Sequence, residues 1–382
     1  MQDQANRNEA GDVSSGQFGW STLLRGGREM TAEELQWIAR VWGVHIHRAV
    51  RVAGGFSGAG VWKVETDQSQ CFAVRRMELV DESEWIRGNA ICRWMSLVGD
   101  CGVTCVPVPL KPMRDSGDAA TLKNHRQDYL VRGLGGVWQL ETWMPGEFIA
   151  GLPSDTELTA AMRVLEQIHQ LGRDAGQRGD FTSALAVRRG GSPGVERRMR
   201  IVMELQAGLL TGLEAGANRD PDRRFGQAAE RMCVCLRSGL RRLQTLLSAA
   251  VSEEVALQPV LRDLWRPHVL FHEGRISGVI DWNAAATDHV VLDLTRLLRS
   301  WYGTHHKDLW RAYRDVCEVR RFSGAEFRLL RACDAASVLL SPVTWLRRRY
   351  SQPVAGPAEE SVVIRFEELV TTAESFVASS LF

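Results

Sequence analysis

With 382 residues, of which 45% are hydrophobic, the chain can bury a core that needs no disulfide or structural metal, and its length suits two domains or one domain of two lobes. A formal net charge of +1 predicts no bulk attraction to nucleic acid or to an anionic membrane, and no run reaches the roughly 18 apolar residues expected of a membrane span. Eight scattered cysteines and no apolar leader in the first thirty residues fit reduced thiols in a cytoplasmic protein. Neither Cys101/Cys105 nor Cys233/Cys235 has the second pair that a zinc site requires.

In chain order, residues 1–30 are polar and Gly-rich and read as a disordered tail. Thr31-Ala32-Glu33-Glu34 has the capping-box pattern and predicts a short helix from Leu35 to Trp42. Ile46 to Val52, Val61 to Glu65 and Cys71 to Met77 read as short strands joined by tight turns, hence an antiparallel sheet. A helix from about Ser83 to Val98 follows. Then come the extended Val106 to Leu110 and two more strands, Asp128 to Leu134 and Val137 to Trp143. Met144-Pro145-Gly146 closes this sheet-rich unit, residues 31–145, as a hinge. From 146 to 382 the pattern is helical. Ser154-Asp155-Thr156-Glu157 is a second capping box, and Leu158, Ala161, Met162, Leu165, Ile168 and His169 follow at helical spacing. His169 on that apolar face reads as a satisfied core histidine. Arg173 to Glu196 reads as a basic, Gly-rich loop. Arg198 to Leu213 and Phe225 to Ala250 read as long helices. A small hairpin, Val269 to Phe271 and Ile276 to Ile280, interrupts the helices, which resume at Leu292 to Arg299, Asp308 to Val316, Gly324 to Leu346 and Val362 to Ser379. A sheet followed by helices, with one hairpin inside the helical half, predicts an α+β plan of two lobes.

Three segments carry chemistry. Between two strands lies Gly54-Gly55-Phe56-Ser57-Gly58-Ala59-Gly60. Glycines let backbone N–H groups approach a phosphate without Cβ obstruction, so Gly55, Ser57 and Gly58 are candidate phosphate contacts. No Gly-Lys-Ser/Thr follows, which excludes a Walker loop, and a plain Gly-rich hairpin stays open. On the strand Phe72-Ala73-Val74-Arg75, Arg75 shares a face with Ala73 and Arg76 points the other way. Arg75 occupies the place where a kinase strand carries its phosphate-pairing lysine, although an exposed edge arginine fits as well. The third segment is Leu261-Arg262-Asp263-Leu264-Trp265-Arg266-Pro267-His268-Val269-Leu270-Phe271, then Gly278-Val279-Ile280-Asp281-Trp282. Phosphoryl transfer to a hydroxyl needs one carboxylate to orient and deprotonate the attacking oxygen, and oxygen ligands for a cation bridging the phosphates. Asp263 and Asp281, on either side of a hairpin, suit those two tasks.

The stretch 257–298 resembles the aminoglycoside phosphotransferase and choline kinase-like family, whose signature runs H-G-D-x-H-P-x-N-V-L-F, then G-V-I-D-W, then D-x-x-x-x-D-L-A. The resemblance spans about residues 45–350. It implies a two-lobed protein-kinase-like fold, an antiparallel-sheet N-lobe and a mainly helical C-lobe, and ATP-dependent phosphorylation of a small hydroxylated molecule with Mg²⁺, or Mn²⁺, as cofactor. By position, Asp263 resembles the catalytic base, Asp281 the metal ligand, His268 the second metal position and Arg75 the phosphate anchor. Glu84, early in the next helix, is the candidate ion-pair partner of Arg75. Asp288 and Asp293 match the acidic positions opening the following helix, and Asp293 reads as a structural cap.

Three positions depart from the family pattern. Leu261 replaces the first histidine, which removes a support of the loop. Arg75 replaces lysine and is longer, planar and permanently charged. His268 replaces asparagine and offers a nitrogen where Mg²⁺ prefers oxygen. These departures leave two functions open, an active phosphotransferase and a pseudokinase that binds nucleotide or a protein partner without efficient transfer. The arginines of residues 173–200 favour a neutral or anionic acceptor if that segment borders the pocket; a solvated surface loop is the alternative. Trp265 and Trp282 read as packing residues, and His305-His306 as a solvated helix entry.

Overall fold

The structure, a computed structural model, describes residues 29–52, 60–78, 81–113, 128–181, 183–351 and 359–379. The phosphate-loop candidates Gly55, Ser57 and Gly58 lie outside the described residues, as does nearly all of the N-terminal tail.

Thr31 opens α1 (Ala32–Trp42) through a reciprocal cap. Its hydroxyl accepts the Glu34 N–H at 3.2 Å, and the Glu34 carboxylate accepts the Thr31 N–H at 2.9 Å. The apolar face of α1 lies on an antiparallel sheet of β1 (Ile46–Arg51), β2 (Gly60–Thr66), β3 (Cys71–Met77), β4 (Val131–Gly133) and β5 (Gly136–Thr142), in the order β1-β2-β3-β5-β4. Indoles fill that interface, with Trp138 5.5 Å from Trp37 and 6.3 Å from Trp62 between ring centroids.

The other face of the sheet meets α2 (Glu82–Asp100), which sets Trp85 and Cys92 against Tyr129, Leu130 and Val137. Asn89 of α2 accepts the N–H groups of Tyr129 at 2.8 Å and Leu130 at 3.2 Å, which fixes the approach to β4. The second half of α2 belongs to the helical core. Trp94 meets Trp282 edge-on at 4.8 Å. It also lies across α3 (Asp155–Arg178) at Gly172, where a Cβ would come within 2.9 Å of the indole. Only glycine allows that approach.

After β6 (Glu147–Phe148), the Ser154–Glu157 capping box opens α3 as the sequence predicts. Arg173 to Glu196 is not a single loop. The last turns of α3, a short strand β7 (Arg188–Gly190) and the start of α4 (Pro193–Glu204) occupy it. The helix expected over Arg198 to Leu213 is divided by a wide turn at Leu205–Leu209, with Gly208 at φ 123°, before α5 (Leu210–Ala217). The long α6 (Arg223–Val251) leads to β8 (Val255–Val260), a strand that the sequence does not announce. Five of its six residues are buried, so the polar alternation that marks a half-exposed strand is missing. β8 pairs with β7 and with β11 (Ala286–Asp288). The predicted hairpin, β9 (Val269–His272) and β10 (Arg275–Val279), pairs with β6.

Helices α7 (Val291–Tyr302), α8 (His306–Arg320), α9 (Gly324–Ser351) and α10 (Glu360–Ala378) complete the chain, with α6 packed against α9 and α10. Contrary to the composition reading, Gly324–Tyr350 is long and apolar enough to cross a membrane, yet 72% of its most apolar window is buried within the protein.

Glu326 closes the start of α9 by accepting the Ser323 N–H at 2.7 Å, and it meets His289 Nε2 at 3.1 Å. The His289 bond, against burial and with help from the Ser323 N–H, holds its carboxyl at about 2. A depressed carboxyl contributes stability above its unfolded pKa and loses it as pH falls. Glu326→Gln is therefore expected to lower the melting temperature at pH 7. The gap to wild type should narrow once the pH falls below the ordinary value of 4.5. Melts from pH 7 to about pH 2 check this, and a gap that stays constant from 4.5 down to about 2 would contradict it.

Candidate active site

On β3, Arg75 lies opposite Gln139 of β5, and Ala73 lies opposite Glu141. Alternation places all four side chains on one face of the sheet. The Arg75 Nε donates to Glu141 Oε1 at 3.2 Å and its Nη1 donates to Asp281 Oδ1 at 3.2 Å. Gln139 Nε2 donates to the remaining Glu141 oxygen at 2.7 Å. Burial pushes the Glu141 carboxyl up, and Arg75 opposes that push. The partner expected for Arg75 was Glu84, and this is corrected. Glu84 is exposed in the first turn of α2, where its N–H donates to Asp81. The guanidinium runs along the sheet toward β5 instead. The signal was legible in Gly136–Thr142, where Gln139 and Glu141 are alternate polar residues in a strand otherwise rich in apolar ones.

At the end of β8 the chain turns through Leu261, Arg262 and Asp263, with Arg262 at φ 66°. Asp293, in the first turn of α7, holds this loop. Its carboxylate accepts the Leu261 N–H at 2.8 Å and the Arg262 N–H at 2.6 Å. His169 Nε2 of α3 lies 2.9 Å from the same carboxylate. Arg320 Nη1 stands 3.3 Å from His169 Nδ1 and can only donate, so the imidazole keeps its proton on Nε2 and gives it to Asp293. Burial lowers the His169 pKa against the pull of Asp293, consistent with this neutral form. Asp293 was expected to cap the helix it opens; among the described residues that helix has no side-chain cap, and the Asp293 carboxylate instead braces the loop at Leu261 and Arg262. Leu261, in the place of the family's histidine, is buried in the core.

The Asp263 carboxylate is partly exposed and pairs with Arg296 of α7, one turn beyond Asp293. Neither Arg296 nor Glu141 is marked by any motif. His268 fastens the same loop. Trp265 Nε1–H donates to His268 Nε2 at 3.0 Å, so the ring proton sits on Nδ1 and is donated to the Asp263 carbonyl at 2.8 Å. Burial lowers the His268 pKa more than Asp281 and Asp263 raise it. Trp282 is buried against Trp94, as the packing reading expects.

Asp281 follows β10 in a left-handed conformation, φ 62°, and its side chain is 34% exposed. Burial pushes its carboxyl up, but the charge of Arg75, with His268, holds it below the usual carboxylate range. One oxygen faces Arg75 and the other lies 3.6 Å from His268 Nε2. Mg²⁺ beside a nucleotide commonly takes one or two carboxylates plus phosphate oxygens, and Asp281 suits one such ion. His268 does not suit a second, because one ring nitrogen carries the proton and the lone pair of the other receives Trp265. That assignment is corrected. Among the described residues no three His, Cys, Asp or Glu side chains gather as a metal cluster.

Comparisons with known proteins add four findings. The model of the phosphotransferase enzyme family matches residues 48–322. The fold is similar to an aminoglycoside phosphotransferase from Alicyclobacillus acidocaldarius, with TM-score 0.53 and 15% identity over 94% of this chain and 97% of that one. It is also similar to a spectinomycin phosphotransferase solved with ADP and spectinomycin, with TM-score 0.60 and 12% identity over 91% and 98% of the two chains. No curated protein matches the sequence.

Proposed function

The chain belongs to the phosphotransferase enzyme family, and from that premise we propose that it transfers the γ-phosphate of ATP to a hydroxyl of a small molecule. The observation that carries this reading is the reach of Arg75 from the sheet to Asp281 beyond the hairpin, at 3.2 Å. That contact brings a phosphate-anchoring cation to a metal-binding carboxylate, and His268 joins both to the loop of Asp263. The ADP found in the spectinomycin enzyme's complex agrees with a nucleotide in such a cleft.

In this reading Asp263 accepts the proton of the attacking hydroxyl, and Arg296 and the Nδ1–H of His268 fix its place. Arg75 offers its fork to phosphate oxygens. Glu141 and Gln139 beneath it set the fork's direction. A metal held by Asp281 and the nucleotide would neutralise charge on the phosphates as transfer proceeds. The screening experiment is ATP consumption by purified protein over a panel of hydroxylated acceptors. Acceptor-dependent consumption is the expected result, and its absence across the panel would remove the transfer reading.

A second reading, nucleotide binding without transfer, draws on two observations: Arg75 engages Asp281 directly, and His268 has no lone pair left for a metal. The two readings share one expectation. Arg75→Met should weaken nucleotide binding about 10–100-fold, the scale of a charge-assisted hydrogen bond of roughly 1.5–3 kcal/mol. It also strands the buried Glu141, so a lower melting temperature is expected. Arg75→Met with Glu141→Gln should recover stability and not affinity. Calorimetry that finds full affinity in the double variant would remove Arg75 from the nucleotide site.

A further inference from the structure

Arg262 is built at a cost. A non-glycine residue in the left-handed region loses about 1–2 kcal/mol, whereas glycine adopts it freely, and Arg262 holds φ 66°. Its Nε is shielded from solvent and has no hydrogen-bond partner among the described residues. Asp288 and Asp293 are the acids near it, and both are already satisfied. Asp288 accepts Ser192 Oγ at 2.5 Å and the N–H groups of Gly194 and His289 at 2.8 and 2.9 Å. Asp293 is taken by Leu261, the Arg262 backbone and His169.

Further cations crowd the same place. Arg198, in the first turns of α4, bonds the Gly194 carbonyl at 3.0 Å, and its charge bears on Arg262. Arg87 of α2 bonds the Asn283 carbonyl at 2.7 Å, and its charge also bears on Arg262. Arg197 stands near Arg262, Arg198 and Arg296; partial loss of hydration, then those like charges, push it down to about 10. Among the described residues Arg296 has Asp263 as its partner, whereas Arg197, Arg198 and Arg262 form no ion pair with a carboxylate; like charges so held are destabilising unless an anion joins them.

The geometry points to an oxyanion site, for a phosphate or carboxylate group, formed by Arg262 with Arg197 and Arg198 beside the catalytic loop. This deepens the phosphotransferase reading and rests on it for the role of the neighbouring Asp263. An anion on Arg262 would brace the residue that precedes Asp263. The group can come from the acceptor itself or from a free anion.

The test is titration calorimetry of inorganic phosphate into protein saturated with AMP-PNP and Mg²⁺, at constant ionic strength against chloride. One saturable site is expected, weakened about tenfold or more in Arg262→Gly and in Arg197→Ala, the scale of one charged hydrogen bond. Arg262→Gly relieves the turn, so folding is not at risk. No binding beyond chloride, or binding unchanged in both variants, would overturn the site. With a working acceptor, phosphate that raises the acceptor's KM assigns the site to the acceptor's own anionic group. Phosphate that raises kcat without competing assigns it to a free anion. If no acceptor consumes ATP, the transfer reading fails while the isotherm still decides the site. If AMP-PNP does not bind, the isotherm on free protein, wild type against Arg262→Gly, decides it.

Discussion

Asp263→Asn is expected to lower kcat for acceptor-dependent ATP consumption by about 10²–10⁴-fold, the usual contribution of a positioned general base. The amide keeps the size of the side chain and can still accept from Arg296, but it cannot take a proton. Nucleotide affinity should stay near wild type, because Arg75 and Asp281 are untouched. So should folding, because a partly exposed ion pair such as Asp263–Arg296 is worth about 1 kcal/mol or less. A loss in kcat with an unchanged KM for ATP marks an interaction made in the transition state. Full turnover in the asparagine variant would mean that the hydroxyl is deprotonated elsewhere and that Asp263 only holds the loop.

Asp293→Ala is expected to be the most damaging change in the helical half. Its carboxylate is fully buried and receives two backbone N–H groups and the His169 ring. Its removal leaves three buried donors without an acceptor and lets the loop before Asp263 drift. A loss of roughly 3–5 kcal/mol is expected, the sum of several buried donors left unsatisfied at about 1–3 kcal/mol each, together with most of the activity. Asp293→Asn keeps an acceptor oxygen and should lose less of both. Urea unfolding and kcat measured on the same samples separate the outcomes. Wild-type stability with abolished turnover would assign Asp293 to the chemistry, and wild-type values of both would show the loop to be held by other contacts.

The elements that were legible in the sequence are those whose signals are local. Two capping boxes, at Thr31 and Ser154, announced helices that form with the predicted side-chain bonds. Strands β2 and β3 and the hairpin of β9 and β10 announced themselves by period and turn residues. The strand β8 gave no such sign, because burial on both faces erases alternation. Long-range partners were the least legible. Nothing in the spacing says that Asp293 reaches back across 31 residues to Arg262, and the alternate polar Gln139 and Glu141 mark a polar face on β5 without naming Arg75 as its partner. Ligand capacity was also illegible at His268, where residue type suggests a metal and only the Trp265 indole shows that the lone pair is taken.

The position of Trp94 bears on how the two halves can move. The helix that carries it serves the sheet with one end and is wedged between Gly172 and Trp282 with the other. To swing outward it would have to withdraw an indole from a slot with no slack. Any relative motion of the sheet and the helical half therefore pivots on this helix as a fixed axle.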